Sequence, residues 1–104
     1  MRGDVYRLRA GDARGREQAG LGYAVVIQSD DLPLSTWVVA PTSTARAEAS
    51  FRPEVDLGGE VTRVLVDHMR AVDHTVRLGD FAGRLSQAEM QAVDQAIRVV
   101  LALD

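Results

Sequence analysis

Hydrophobic positions along this chain come in short bursts, and most of them alternate or run unbroken for only a few residues. "DVYRLR" (Asp4–Arg9) alternates and predicts a first strand. Residues 10–20 are rich in glycine and charge and read as a loop. "LGYAVVIQS" (Leu21–Ser29) is almost continuously apolar, the pattern of a strand covered on both faces. "DDLPLS" turns the chain, with Pro33 as the breaker. "TWVVAPTST" (Thr36–Thr44) is a third strand, and Pro41 inside it predicts an edge or a bulge. Residues 45–50 form a loop. "FRPEVDL" is a short strand, and Gly58-Gly59 make a hairpin turn into "VTRVLVD" (Val61–Asp67). "MRAVD" adds a short strand, and "RLGDFAGRL" (Arg77–Leu85) mixes a turn with a short extended or helical piece.

The last segment changes period. Ser86 and Glu89 have capping-box spacing. Met90, Val93, Ile97, Val100 and Leu101 then recur on one helical face. Five or six short strands followed by one amphipathic helix predict a mainly β domain, a small β-barrel closed by a C-terminal helix. A length of 104 residues suits one such domain.

Composition narrows the chemistry. There is no cysteine, so disulfides and thiolate metal sites are excluded. The apolar runs "YAVVI" and "VVLAL" are too short to cross a bilayer, and the opening residues carry no basic-then-apolar stretch. The expectation is a soluble cytoplasmic protein without a membrane partner. A net charge of −3 argues against a general nucleic-acid coat but leaves room for a local basic site. All 12 basic residues are arginine. A GC-rich genome explains that; guanidinium forks for phosphate explain it as well. Arg2, Arg7, Arg9, Arg14 and Arg16 crowd the N-terminal segment, opposed only by Asp4 and Asp12.

Motifs of the common enzyme classes are missing. No glycine-rich loop ends in a lysine, and no nucleophile elbow is present. His68 and His74 are six residues apart, which is not a ligand spacing, so no metal site is expected. Two stretches stand out. One is the loop entering the second strand, "GREQAGLG". The other is "APTST", where apolar "WVVA" gives way to the hydroxyls of Thr42, Ser43 and Thr44. Such hydroxyls cap turns, and they also bond phosphates or base edges.

Taken in order, these stretches resemble the MazF/PemK toxins of bacterial toxin–antitoxin pairs. The resemblance runs through "RGDVY", "GREQAG", "AVVIQSDD", "VVAPTST", "VLVDHMRAVD" and "RLGDFAGRLS", and so covers essentially the whole chain. It implies an SH3-like barrel with a C-terminal helix, built as a homodimer. It implies cleavage of single-stranded RNA at short motifs, with no metal or other cofactor, to 2′,3′-cyclic phosphate and 5′-hydroxyl ends. It also implies a MazE-like antitoxin as partner. Carried over by position, Thr42 would donate to the scissile phosphate, while Arg16, Glu17, Gln18 and Ser43 would bind RNA. Asp67, His68 and Arg70 would lie at the groove wall or the dimer seam. His68 stands where the family has glutamine, and "DHTVRL" carries one residue more than the family's usual linker.

One position departs from the pattern. The family's catalytic arginine falls on Gly22. That arginine is commonly assigned as an acid or base, but a guanidinium with a pKa above ~12 transfers protons poorly. Its charge, placed where charge develops on phosphorus, is the stronger role. Glycine supplies neither charge nor hydrogen bonds. Three explanations stand: an inactivated toxin, a variant in which Arg16 or Arg70 reaches the site, or a non-catalytic relative. The same barrel also occurs in toxins that poison DNA gyrase by binding.

Overall fold

The computed structural model describes residues 1–9 and 22–104; Arg16, Glu17 and Gln18 lie outside them. The elements are β1 (Asp4–Leu8), β2 (Gly22–Val26), β3 (Thr36–Ser43), β4 (Glu54–Leu57), β5 (Glu60–Val64), β6 (Arg70–Asp73), α1 (His74–Arg77), β7 (Leu78–Arg84) and α2 (Gln87–Leu101), with a 3₁₀ turn at Val66–His68. The sheet order is β4-β5-β3-β2-β1-β7, all antiparallel, and β6 joins it by pairing with β3. The sheet curls, and α2 fills its concave side, so the expected helix-closed barrel is a half-barrel.

Strand β3 organises this sheet. One edge pairs with β2 through Val39, Ala40 and Pro41. The other edge is shared: Thr36–Val39 pair with β6, and Thr42 and Ser43 pair with β5. Pro41 sits at the seam between those two partners and is buried. It is neither an edge residue nor a bulge, as its sequence context suggested. Its carbonyl accepts from Leu65 N at 2.8 Å, where the chain leaves β5. N–H and C=O of one strand residue point the same way, so the hydrogen that proline lacks would have faced the gap between β5 and β6. The same gap ends the strand expected over Val61–Asp67 at Val64, because Val66–His68 must turn the chain from one partner position to the next. The expected helical piece comes earlier than "RLGDFAGRL", as the single turn α1. Leu78–Arg84 is a seven-residue strand with two register shifts against β1. Such bulges add twist and help the sheet to curl.

Two cores explain the unbroken apolar run of β2. Val25 joins Val5, Ala40, Val64, Val93 and Ala96 in the larger core under α2. Ala24 and Val26 join Leu8, Val39, Val72 and Leu78 in a second core on the opposite face. Both faces are covered, so alternation has nothing to select. On α2 the buried positions are Val93 and Ala96, with Met90, Ile97 and Val100 packed at the margin. Leu101, expected on this face, is 54 % exposed. The helix ends there, and Ala102 turns left-handed at φ 56°.

The helix start is tied to the sheet. Ser86 Oγ accepts from Glu89 N at 3.1 Å, and Glu89 Oε1 accepts from Ser86 N at 2.8 Å, a complete capping box. Glu89 Oε2 accepts a further N–H, that of Asp56 on β4, at 2.8 Å. Burial alone would raise the carboxyl of Glu89, but the bonds from Ser86 and Asp56 outweigh it and hold the carboxyl below its usual range. Ionised Glu89 is therefore favoured by the fold. Its contribution is complete above the unfolded value near ~4.3 and is lost as pH falls through the lower folded value. Glu89→Ala should cost about 1–3 kcal/mol in urea unfolding at neutral pH, since it removes a cap and leaves an edge N–H unpaired. The stability gap between the native chain and Glu89→Ala should narrow on acidification below about pH 4. A gap that stays constant from neutral to acid pH would show that the carboxylate charge contributes nothing.

Candidate active site

Chemistry concentrates where β2, β3 and β5 meet. Thr42 is only 4 % exposed, and its hydroxyl donates to the carbonyl of Tyr23 at 3.2 Å. The β2–β3 ladder runs Val26↔Val39, Val25↔Ala40, Ala24↔Pro41, and one further step sets Tyr23 opposite Thr42. The hydroxyl thus bonds across the strands just where the paired ladder ends. On the other side Thr42 pairs with Val64 of β5. Thr62, two residues before Val64, shares its face and is 5 % exposed.

These groups line a cleft of about 250 Å³ together with Gly22, Tyr23, Ser43, Thr44 and Glu60. Ser43 Oγ accepts from Ala45 N at 3.1 Å, so this hydroxyl caps the turn that follows β3. The cleft wall is rich in hydroxyls, and no cation lines it among the described residues. Glu60 is its one carboxylate there.

Gly22 lies on the rim. It pairs with Leu8 in the β1–β2 ladder, and its backbone is not among the left-handed glycines. Among the described residues a Cβ added to it would meet only the Thr42 carbonyl oxygen, at an ordinary contact of 3.6 Å. None of those residues requires glycine here. A side chain would start beside Thr42.

Asp67, His68 and Arg70 lie apart from the cleft lining. Asp67 is held by Arg52: Nε reaches Oδ1 at 3.2 Å and Nη2 reaches Oδ2 at 2.8 Å. That hydrogen-bonded guanidinium keeps the Asp67 carboxyl below its usual range despite partial burial. His68 Nε2 is 3.6 Å from the same carboxylate. Arg52 also donates to Ala47 O at 3.2 Å, so the cluster ties the loop before β4 to the 3₁₀ turn. Arg70 sits opposite Val39 on β6 and, among the described residues, makes no ion pair with Asp67 or Asp73. Asp73 instead caps α1 through Thr75 N at 3.0 Å and Thr75 Oγ1 at 2.6 Å. A further cation stands near the cleft. Arg7 Nη1 donates to the Tyr23 hydroxyl at 3.2 Å, with its guanidinium 5.4 Å from the ring centroid.

Of the expected site, then, the structure gathers Gly22, Thr42 and Ser43, and it separates Asp67, His68 and Arg70 from them. Tyr23, Thr62 and Glu60 at the cleft were not singled out by the sequence, and Arg7, bonded to Tyr23, was named only among the crowded N-terminal arginines. Their signal is strand register, which appears only once β2, β3 and β5 are paired. Among the described residues no group of three His, Asp or Glu side chains could hold a metal ion. No helix among them is long and apolar enough to cross a membrane.

Comparison with known proteins gives this geometry a lineage. The model of a family described as PemK-like, MazF-like toxin of type II toxin–antitoxin systems matches residues 1–101. "Putative toxin Rv3098A" of Mycobacterium tuberculosis is 43 % identical over 104 residues, covering 99 % of this chain and 98 % of that protein. Among solved structures, a mycobacterial endoribonuclease in complex with its cognate antitoxin superimposes with a TM-score of 0.82 at 20 % identity, over 100 % of this chain and 96 % of that one. MazF from Deinococcus radiodurans gives 0.79 at 21 % identity, over 97 % and 94 %. At such identities the structural likeness is one of fold. The family match and the close relative, each spanning nearly the whole chain, carry the conclusion: the chain belongs to the PemK-like, MazF-like toxins of type II toxin–antitoxin systems.

Proposed function

We propose that this chain is an endoribonuclease toxin that cleaves single-stranded RNA, weakened by the absence of a guanidinium at Gly22. The observation that carries this reading is a hydroxyl-lined cleft, with Thr42 in place, at whose rim the described residues leave space for a side chain at Gly22. Family membership supports the reaction class. In that reaction the 2′-oxygen bonds to the adjacent phosphorus as its proton leaves to solvent. The bond from phosphorus to the 5′-oxygen breaks, and that oxygen takes up a proton. The products are a 2′,3′-cyclic phosphate and a 5′-hydroxyl. The nucleophile belongs to the substrate, so the protein need not supply a metal hydroxide.

The protein's task is to hold the phosphate and balance its second negative charge. The Thr42 hydroxyl would turn from the Tyr23 carbonyl to the phosphate, exchanging a neutral hydrogen bond for a charge-assisted one. Ser43 and main-chain groups of the loop before β2 would read bases, Glu17 and Gln18 would line the RNA groove, and Arg16 would bind RNA with them. Asp67 and His68, fixed by Arg52, would shape the groove wall rather than touch phosphorus, with Arg70 beside them. The lack of a cation in the described lining favours the binding-only alternative, and activity decides between the two.

Gly22→Arg should raise cleavage of single-stranded RNA in EDTA by on the order of 10³-fold, and the gain should vanish with Thr42→Val. Gly22→Ala should match the native chain in thermal stability or exceed it by about 0.5 kcal/mol, since ordering glycine in a paired strand costs more backbone entropy than ordering alanine, and it should gain no activity. No cleavage by either form, on RNAs of varied sequence, would favour an inhibitor that acts by binding. We also propose a homodimer and an acidic antitoxin segment as partners. Light scattering at micromolar concentration should give twice the chain mass. Antitoxin affinity should fall as salt is raised, and salt-independent binding would contradict an electrostatic contact.

A further inference from the structure

Among the described residues a phosphate entering the cleft meets hydroxyls and the Glu60 carboxylate, so any positive charge they supply comes from outside the lining. Arg7 is bonded to Tyr23, which lines the cleft. Its register partner is Tyr23, and directly opposed residues of antiparallel strands share a face. Tyr23 in turn falls opposite Thr42 when the β2–β3 ladder is continued one step. Arg7, Tyr23 and Thr42 thus form one row across three strands. At about 4.8 Å per strand, the backbones of Arg7 and Thr42 are roughly 10 Å apart. An arginine side chain and a phosphate group together span that distance.

Tyr23 links the two ends of the row. Its hydroxyl accepts from Arg7 Nη1 at 3.2 Å, and its carbonyl accepts from the Thr42 hydroxyl at 3.2 Å. Among the described residues Arg2, Arg52, Arg63 and Arg84 are committed to carboxylates, whereas Arg7 has a phenol and a ring face. A phenol orients a guanidinium without neutralising it. The stretch that places glycine at position 22 also places this phenol at position 23.

We propose that Arg7, oriented by Tyr23, is the cation that stabilises the dianionic phosphorus in this chain and carries the cleavage it retains. The proposal rests on the endoribonuclease reading. Arg7 keeps all its protons through the reaction: the 2′-hydroxyl proton leaves to water, and the departing 5′-oxygen takes one from water. Arg7 acts by charge, and Tyr23 is a positioning residue.

The test is single-turnover cleavage of single-stranded RNA in EDTA by the native chain and by Arg7→Gln, Arg7→Lys, Tyr23→Phe, Gly22→Arg and the Gly22→Arg/Arg7→Gln double variant. Thermal unfolding confirms that each variant is folded. Arg7→Gln should lose about 10²–10³-fold in rate, the scale of one transition-state donor. Arg7→Lys should recover part of that loss, as it keeps the charge without the fork. Tyr23→Phe keeps the ring and should lower the rate several-fold while leaving the half-saturating RNA concentration near its native value. In the Gly22→Arg background the loss from Arg7→Gln should shrink below about tenfold, because the two guanidinium groups serve one charge. Native cleavage that survives Arg7→Gln overturns Arg7 and leaves the nuclease reading standing. So does cleavage by Gly22→Arg with none by the native chain. No cleavage by any form overturns both.

Discussion

Strand β3 has to satisfy three neighbours along two edges, and the rest of the fold follows from how it does so. Its eight residues are long enough to carry β6 and β5 in succession on one side while β2 runs along the other. The handover needs a position where no N–H is offered to the gap. Pro41 meets that need, and Leu65 N closes the gap from the other side. Because β5 takes over only at Thr42, that residue is fixed at the point where three strands converge. The cleft is the space left there once the paired ladder of β2 has run out.

That origin explains the character of the site. It is built from strand ends, and among the described residues its walls are hydroxyls and main-chain groups with one carboxylate, Glu60. Four arginines, Arg2, Arg52, Arg63 and Arg84, are paired with carboxylates and serve architecture. Arg52 locks the 3₁₀ turn through Asp67, Arg84 reaches Asp4, and Arg2 reaches Asp94. A net charge of −3 in an arginine-rich chain is therefore informative only after each cation is assigned a partner. Such pairs hold loops in place, and they remove charge from the field that an RNA would feel.

The sequence made the elements legible where local physics decides. The capping box at Ser86 and Glu89, the hairpin at Gly58-Gly59 and the doubly covered run of β2 all stand as their patterns implied. The family motifs carried the lineage across the whole chain. What escaped was long-range. Nothing local tells Pro41 that two strands will meet beside it, or tells Asp67 that Arg52 will hold its carboxylate. Tyr23 reads as one more residue of an apolar strand until register sets it between Arg7 and Thr42. Leu101 continues the helical period correctly, yet the chain turns away before the core can reach it.

A half-barrel ends in open strand edges, and an open edge is a template for another chain. On β4 that template is interrupted: Glu89 already occupies the Asp56 N–H, so a strand approaching there would have to displace a carboxylate bonded on two sides. The helix cap thus doubles as a guard against edge-to-edge growth. At the β4 end the sheet is kept from growing by the first turn of the last helix.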